Sequence, residues 1–359
     1  MRGNERGAGL VALRRLLRRR RGLVAGTLLA AVVVVVASFG LAQALRYAHA
    51  PQRIEVQATP IEAFDPRDPA KTRFGALEFR GGLTLTSSNQ AFGGISALYM
   101  EPDGAHFLSL TDQGSWLRGR IVYRGGRPVG IADAEMAPML GADGRPLAAR
   151  HWYDTESLAQ GADGLFYVGI ERVEKIVRFD YRHDGLAARG QPVPVPADFK
   201  SFTYNKSLEC LAAPPKQAPL AGALIAVTER SLDQAGNLRS FVLKDGEVTR
   251  FAVRRTNDYD VSDCGFLAPA DMLLLERRYS TLAGVAIRIR HLHLADIQEG
   301  ALVDGPALFE ADLGYQIDNM EGIGVHRNAE GETILTLVSD DNFSAIQRNL
   351  LLQFALVGE

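Results

Sequence analysis

Small polar or acidic residues recur in this chain at intervals of just over fifty residues, each within a short apolar stretch. We predict that these positions are equivalent, and they are separated by 60, 53, 54 and 58 residues: Ser96, Glu156, Glu209, Asp263 and Glu321. Carboxylates that meet in a folded protein can hold a cation or transfer a proton. The series is therefore the first set of candidate functional residues.

A second series of carboxylates ends the apolar stretch that follows each of these positions: Asp112, Glu171, Glu229, Glu276 and Asp340. An arginine directly follows three of them, at Arg172, Arg230 and Arg277. The densest group of oxygen-bearing side chains is Asp340-Asp341-Asn342. Carboxylates alone suit Ca²⁺, which takes about 6–8 oxygen ligands. Arginine suits phosphate or carboxylate groups, which it binds through paired hydrogen bonds.

Short strands separated by tight turns must position both series. Turn signals such as Pro102-Asp103-Gly104 and Ala162-Asp163-Gly164 lie between the two members of a repeat. A repeat of this length with several short strands is typical of a propeller blade of four antiparallel strands. We predict an all-β fold, a six-bladed β-propeller, with five or seven blades as alternatives. The apolar stretches at 74–86 and 350–356 are expected to pair and close the ring.

The first fifty residues differ in composition from the rest. Arginines crowd residues 14–21, and no charged residue occurs in 22–45, a span long enough to cross a bilayer as a helix. Such flanking arginines hold the N-terminus in the cytoplasm, so the rest would be exported. We predict a basic cytoplasmic segment (1–21), a signal peptide or membrane-anchor helix (22–45), a linker (46–72) and a propeller domain (73–359). Cleavage after Ala44 and retention as an anchor both stay open.

Composition and missing motifs narrow the function classes. Lysine and arginine number 40 against 42 aspartate and glutamate, a net charge of −2 that disfavours nucleic acid as a partner. The sequence contains no Gly-x-Ser-x-Gly, no His-Glu-x-x-His, no Cys-x-x-Cys and no phosphate-binding loop with Gly-Lys-Ser/Thr. These absences disfavour a serine-hydrolase nucleophile and the common zinc motifs.

Two pairs of residues leave alternatives open. His291 and His293 alternate along an expected strand, so they share one face and either bind a metal or form a plain polar surface. Cys210 and Cys264 directly follow Glu209 and Asp263 and are expected in neighbouring blades. The pattern favours two buried thiols over a disulfide, although an exported location would permit one.

Several of these motifs resemble the family described as esterase-like activity of phytase. They are Phe92-Gly93-Gly94-Ile95-Ser96, Asp154-Thr155-Glu156-Ser157-Leu158, and Asn319-Met320-Glu321-Gly322-Ile323 with Val338-Ser339-Asp340-Asp341-Asn342. The resemblance implies a propeller fold, a bacterial envelope location and, loosely, hydrolysis of an ester or phosphoester. Gln113 stands where the family pattern leads us to expect an arginine, which removes one possible anion contact. Ser207 replaces an expected glycine.

We therefore hypothesise an exported hydrolase of phosphate or carboxylic esters, assisted by a metal such as Ca²⁺. The catalytic residues would be Glu156, Glu209, Glu321 and Asp340. The metal ligands would be Asp112, Glu171, Glu229, Asp263, Glu276 and Asp341. The substrate would be a small anionic ester or phosphate, bound by Arg172, Arg230, Arg277 and Asn342.

This protein would face the periplasm, attached to the inner membrane through the N-terminal helix or released if that segment is cut. One alternative is a non-enzymatic periplasmic propeller that binds a ligand or a protein. Another is a charged ring that only stabilises the fold. The sequence leaves the oligomeric state open.

Overall fold

The computed structural model describes residues 50–358, which fold into five β-sheets set around one axis. The predicted segments 1–21 and 22–45 lie outside the described residues. Within residues 50–358, no helix combines the length and the apolar character needed to cross a membrane.

The strands are short and follow one another in chain order. The first nine are β1 (Gln52–Arg53), β2 (Gln57–Ile61), β3 (Arg73–Phe74), β4 (Leu77–Thr86), β5 (Ile95–Met100), β6 (His106–Thr111), β7 (Ser115–Arg124), β8 (Arg127–Pro138) and β9 (Leu140–Gly141). The next eight are β10 (Thr155–Gln160), β11 (Phe166–Ile170), β12 (Lys175–Phe179), β13 (Arg189–Val193), β14 (Cys210–Ala212), β15 (Leu224–Leu232), β16 (Leu238–Lys244) and β17 (Glu247–Val253). The last eight are β18 (Asp260–Ala268), β19 (Asp271–Ser280), β20 (Gly284–His293), β21 (Leu302–Val303), β22 (Ala307–Asp312), β23 (Asn319–Arg327), β24 (Thr333–Asp340) and β25 (Asn349–Leu356).

Helical structure within the described residues is confined to single turns in the connections. One α-helical turn, α1, spans Tyr181–Asp184. The 3₁₀ turns are Leu147–Arg150, Gly185–Ala187, Ala197–Ser201 and Leu294–Asp296.

Each sheet is one blade of a propeller. From the axis outward, the strand orders are β5-β6-β7-β8-β1 in blade 1, β10-β11-β12-β13-β9 in blade 2, β14-β15-β16-β17-β21 in blade 3, β18-β19-β20-β22 in blade 4 and β23-β24-β25-β4-β2 in blade 5. Strand β3 also pairs with β4. The inner strands contact one another in sequence, and β23 returns to β5, so the ring is closed.

Both ends of the described chain contribute to blade 5. Strand β25 pairs with β4 from Asn349–Leu85 to Leu356–Leu77, which confirms the expected pairing of the two ends. The prediction of six blades was wrong, because these strands complete the blade begun by β23 and β24 and do not form another. Part of the predicted linker is also structured, since β1 joins blade 1 and β2 joins blade 5.

A β-bulge near the start of the inner strand repeats around the ring. The register shifts between Ile95 and Ala97, between Thr155 and Ser157, between Val261 and Asp263, and between Met320 and Gly322. The extra residue of a bulge is left unpaired and its side chain is re-aimed. These residues are Ser96, Glu156, Ser262 and Glu321. In blade 3, Glu209 holds the same place, because the amide of Glu229 bonds to the carbonyl of Ser207.

In blade 4, the predicted members of both series were wrong by one residue. Val261 pairs with Glu276, as Ile95 pairs with Thr111 and Thr155 with Ile170. The bulge residue of blade 4 is Ser262 and not Asp263. The residue in line with the second carboxylate series is Arg277 and not Glu276.

The position after the bulge links neighbouring inner strands. Ser157 Oγ donates to the carbonyl of Leu208 in blade 3 at 2.8 Å. Asp263 accepts a hydrogen bond from the amide of Ile323 in blade 5 at 2.7 Å. Cys210 occupies the same place in blade 3 and forms a disulfide with Cys264 in β18, with the two Cα atoms 5.3 Å apart. The expectation of two free thiols was wrong, because these strands bring the cysteines together across the blade boundary.

Apolar side chains fill the spaces between the sheets. A cluster of aromatic rings lies between blades 4 and 5, where Phe64, Phe79, Phe309 and Phe354 pack with ring centroids 5.1–5.8 Å apart. Burial of such rings is a large part of the stability of a propeller. These interfaces fix the angle between blades, and so fix where the inner strands begin.

The disulfide should stabilise the ring measurably. It closes a separation of 54 residues, for which loop-closure entropy gives about 4 kcal/mol. We expect the Cys210→Ala/Cys264→Ala double variant to lose roughly this free energy of unfolding in urea titrations. Reduced parent protein should match the variant, and equal stability of oxidised parent and variant would contradict the prediction.

Candidate functional site

Carboxylates from four blades converge at the end of the axis where the inner strands begin. Oxygens of Glu156, Glu209 and Glu321 lie within 4.8 Å of one another, as do those of Glu171, Glu209 and Glu229. Burial and, to a smaller extent, the nearby carboxylate of Asp112 in blade 1 raise the pKa of Asp340 in blade 5. We call the following set the carboxylate ring: Asp112, Glu156, Glu171, Glu209, Glu229, Glu321 and Asp340.

Blade 4 contributes an arginine where the other blades contribute a carboxylate. Arg277 Nη1 lies 2.5 Å from Glu321 Oε1, and Nη2 lies 3.4 Å from Glu229 and 3.9 Å from Glu209. Lys206 Nζ contacts Glu229 at 2.8 Å. These two cations offset part of the repulsion between the carboxylates, which outnumber them.

Some carboxylate oxygens of the ring have no hydrogen-bond partner among residues 50–358. Glu209 Oε2 and Asp112 Oδ1 are both shielded from solvent and make no hydrogen bond within this part of the chain. Leaving such an atom unsatisfied is costly, so a proton, a cation or a ligand group is expected beside it. The backbone favours this arrangement: Gly94 has φ 62°, and a Cβ there would collide with the carboxylate of Asp112.

Burial and repulsion between neighbouring carboxylates raise the pKa values of six ring carboxyls: Asp112, Glu156, Glu171, Glu209, Glu321 and Asp340. Burial, opposed in part by hydrogen bonds, raises the pKa of Asp112 to about 7 and those of Glu171 and Asp340 to about 8. Burial and the neighbouring Glu321 hold the pKa values of Glu156 and Glu209 well above the usual range. At neutral pH without a bound cation, several of these groups therefore keep their protons.

Three predicted metal ligands lie outside the ring: Asp341, described below, and two residues of blade 4, Asp263 and Glu276. Glu276 is fully buried within blade 4, where Arg288 Nε donates to it at 2.7 Å and Arg290 Nη2 at 2.6 Å. Asp263 faces the boundary with blade 5 and accepts from the amide of Ile323. Both residues were predicted as metal ligands because the sequence alignment of blade 4 was off by one residue. Their contacts indicate structural roles.

The remaining predicted arginines lie in ion pairs at the margin of the site. Arg172 Nε is 2.5 Å from Asp154 Oδ2 and 2.6 Å from Asn205 Oδ1. Arg230 Nε donates to Asp260 at 2.6 Å. The side chains of Arg172 and Arg230 are 35% and 47% exposed, so each also has a face toward solvent.

The Asp340-Asp341-Asn342 group adjoins blade 1. Asp341 accepts from the amide of Gly94 at 3.1 Å and from Asn349 Nδ2 at 2.7 Å. Asn342 is exposed, has φ 47°, and donates its amide to Asp340 at 2.6 Å. Asp341 thus ties the start of β5 to blade 5, and the predicted roles of both residues in binding remain predictions.

Sequence reasoning missed three residues that contact the site. Asp154 pairs with Arg172, Lys206 with Glu229, and Asn319 Nδ2 donates to Glu321 at 2.6 Å. All three lie two or three residues before the bulge position of their blade, and Asp154 and Asn319 each begin one of the quoted motifs. Their position in the repeat, close to the predicted site residues, was the sequence signal that could have identified them.

The opposite mouth of the propeller has a different character. A cavity of about 510 Å³ opens there, lined by later residues of the inner strands such as Leu98, Leu158 and Phe266. Its lining is largely apolar or backbone, with few charged side chains. The chemistry of the carboxylate ring is therefore confined to one end of the axis.

The family model for phytase-like proteins, described as esterase-like activity of phytase, matches residues 90–343, most of the chain. The chain belongs to this family. The match covers every carboxylate of the ring and Arg172, Arg230 and Arg277. No curated protein matches this phytase-like chain.

Solved propellers are only distantly similar. The chain is 13% identical to a streptogramin B lyase, with 77% of this chain and 70% of that one covered and a TM-score of 0.32. It is 11% identical to the WD40 repeats of RRP9, with 84% and 100% covered and a TM-score of 0.35. It is 10% identical to the β-propeller domain of Cps50 (Swd1) from Myceliophteria thermophila, with 71% and 68% covered and a TM-score of 0.33. The assignment of the fold rests on the five sheets themselves.

The raised pKa values predict that the metal-free protein loses stability as pH rises. Unfolded carboxyls ionise near pH 4, whereas Glu171 and Asp340 in the folded ring have pKa values of about 8. The folded state binds more protons between these limits, so the free energy of unfolding falls by about 1.4 kcal/mol per pH unit for each extra proton. Melting temperatures in EDTA from pH 5 to pH 8 should fall. A flat or rising profile would contradict this.

Removal of Arg277 should destabilise the protein most at high pH. Arg277→Gln leaves Glu321 without its cation, a loss of about 3–5 kcal/mol for a buried pair, and leaves Glu229 with Lys206 alone. Burial raises the pKa of Glu321, so its protonation at pH 5 should reduce the effect. Urea unfolding at both pH values measures it, and the exposed neighbour Arg278→Gln is the matched control. A loss independent of pH would indicate a packing role for Arg277.

Proposed function

We propose that this phytase-like propeller hydrolyses phosphate or carboxylic esters with the help of a divalent cation, such as Ca²⁺, at the carboxylate ring. One observation carries the proposal: Glu156, Glu209 and Glu321, from three different blades, bring their oxygens within 4.8 Å of one another. Such convergence of like charges has a cost in free energy that a bound cation removes.

The chemistry of the ring fits a hard cation. Every donor in the two clusters is a carboxylate oxygen, which Ca²⁺ prefers, and Glu209 belongs to both. Glu209 Oε2 is buried and makes no hydrogen bond within residues 50–358. Glu156, Glu209 and Glu321 would hold the ion, with Glu171 and Glu229 beside it. A bound cation would polarise the ester and stabilise negative charge on its oxygens.

Proton transfer falls to carboxyls whose pKa lies near the working pH. Glu171 and Asp340, each with a pKa of about 8, are largely protonated at neutral pH and keep a smaller ionised fraction. A group of this kind can take a proton from an attacking water or give one to a leaving oxygen. Asp340 lies beside the blade 1 edge of the ring, where Asp112 is its neighbour.

The partly exposed arginines, Arg172 and Arg230, would orient an anionic substrate. Arg172 and Arg230 can turn part of their guanidinium groups to a phosphate while keeping their carboxylate partners. Arg277 is committed to Glu321, Asn319 and Glu229. We therefore assign the first contact with substrate to Arg172 and Arg230, and charge compensation to Arg277.

We further propose a location in the bacterial cell envelope, facing the periplasm, with the N-terminal apolar segment as anchor or cleaved signal. The Cys210–Cys264 disulfide supports this proposal, because disulfides persist in oxidising compartments and are rare in the cytosol. The arginine-flanked segment at 22–45 supports it from the sequence.

Turnover of p-nitrophenyl phosphate and p-nitrophenyl acetate tests the enzymatic proposal. We expect Ca²⁺-dependent hydrolysis that Glu321→Gln lowers by at least about 100-fold, the scale of a lost acid–base or charge-stabilising group. Glu247→Gln, an exposed carboxylate on an outer strand, is the matched control and should keep full activity. Melting temperatures of both variants show whether the fold is retained.

The same assay separates the enzyme from a non-enzymatic binding propeller. The commitment of Arg277 to carboxylates favours that second candidate, since it leaves fewer cations for a substrate. No turnover by the parent chain, together with Ca²⁺ binding that Glu321→Gln abolishes, would establish the binding function and overturn the hydrolase.

A further inference from the structure

Blade 4 carries a second group of ligand-type side chains, at the end of the propeller opposite the carboxylate ring. Asp271 begins β19 and lies directly across from His293 near the end of β20, while His291 pairs with Leu273. Alternate residues of a strand point to the same face. Asp271, His291 and His293 therefore share one face of the sheet.

The donor atoms of these three residues already face one another. Asp271 Oδ1 lies 2.6 Å from His293 Nδ1 and 3.0 Å from His291 Nε2. The imidazole centroids are 4.6 Å apart, and one donor atom from each residue lies within 4.8 Å of the others. A shift of a fraction of an ångström would allow all three atoms to contact a single ion.

The position of His291 Nε2 also favours a ligand. This atom is shielded from solvent and lies 3.0 Å from Asp271 Oδ1, the same oxygen that His293 Nδ1 contacts at 2.6 Å. A ring nitrogen that faces a carboxylate and a second imidazole is placed as a metal ligand would be. His293, 58% exposed, leaves a path for an ion from solvent.

We propose that Asp271, His291 and His293 bind a divalent transition-metal ion of the zinc class. Two neutral imidazoles and one carboxylate leave the site with a single negative charge that attracts a dication. Mixed nitrogen and oxygen ligands favour Zn²⁺, Co²⁺ or Fe²⁺ over Ca²⁺, which prefers oxygen alone. Three protein ligands leave a position for water or a small anion. The inference is independent of the carboxylate ring.

Cobalt titration of the full-length, EDTA-treated protein tests the site directly. Co²⁺ held by two imidazoles and a carboxylate at low coordination number gives visible absorption far stronger than that of the hydrated ion. We expect one Co²⁺ per chain with such bands, and their loss on addition of one equivalent of Zn²⁺. The Glu321→Gln variant should give the same spectrum, which separates this site from the ring.

Ligand variants show whether these residues carry the binding. His293→Gln and His291→Gln should each weaken Zn²⁺ binding by at least about tenfold in calorimetric titrations. His106→Gln is the matched control, because His106 also pairs with an aspartate, Asp103, at 2.6 Å but has no second histidine beside it. Should His291→Gln fail to fold, the exposed His293→Gln still decides the question. Unchanged Zn²⁺ affinity in His293→Gln, or no cobalt bands in the parent, would overturn the proposal.

Discussion

Five inner strands converge on one axis, and this convergence sets the distance between carboxylates that belong to different blades. Once β4 and β25 pair, the blades cannot spread apart to relieve repulsion between Glu156, Glu209 and Glu321. The repulsion must be offset locally, and Arg277 and raised pKa values offset it in the metal-free chain. The site is therefore a consequence of closure, since no single blade holds enough charge to create it.

In three blades, the residue that follows the bulge position on the inner strand ties its blade to the next. Ser157 does this by a hydrogen bond and Cys210 by a disulfide. The bulge itself turns Glu156 and Glu321 toward the axis. Bulges beside functional sites commonly re-aim a side chain in this way. Successive residues of an inner strand therefore have different tasks: one points its charge at the axis, and the next holds neighbouring blades together.

Much of this arrangement follows from the sequence, because a repeat in space is a repeat in the chain. The spacing of Glu156, Glu209 and Glu321 predicted a propeller whose axis they share, and pairing of the ends was also predictable. The blade count was not, because nothing local indicates that β25 is the third strand of the last blade and not the start of another. The apolar pattern of a strand can be read from its sequence. The strand with which it pairs is decided only when the whole ring closes.

Blade 4 shows the limit of motif alignment more sharply. Asp263 and Glu276 are the acidic residues nearest the expected positions, so a sequence comparison selects them. The bulge places Ser262 and Arg277 there instead, and a shift of one residue sends a strand side chain to the opposite face. The same offset explains the disulfide. Cys210 and Cys264 are not equivalent positions, and neighbouring inner strands are staggered enough for them to meet.

The departures from symmetry set the charge of the ring. Two series of five positions could supply ten carboxylates. Arg277 replaces one in the second series, and Ser96 and Ser262 replace two at the bulge positions. The hydroxyl of Ser96 donates to the carbonyl of Thr155. On the blade 1 side, Asp112 Oδ1 is buried and makes no hydrogen bond within residues 50–358. Closure gathers the carboxylates, and the three exceptions to the repeat lower the negative charge at the axis, with Arg277 adding a positive charge.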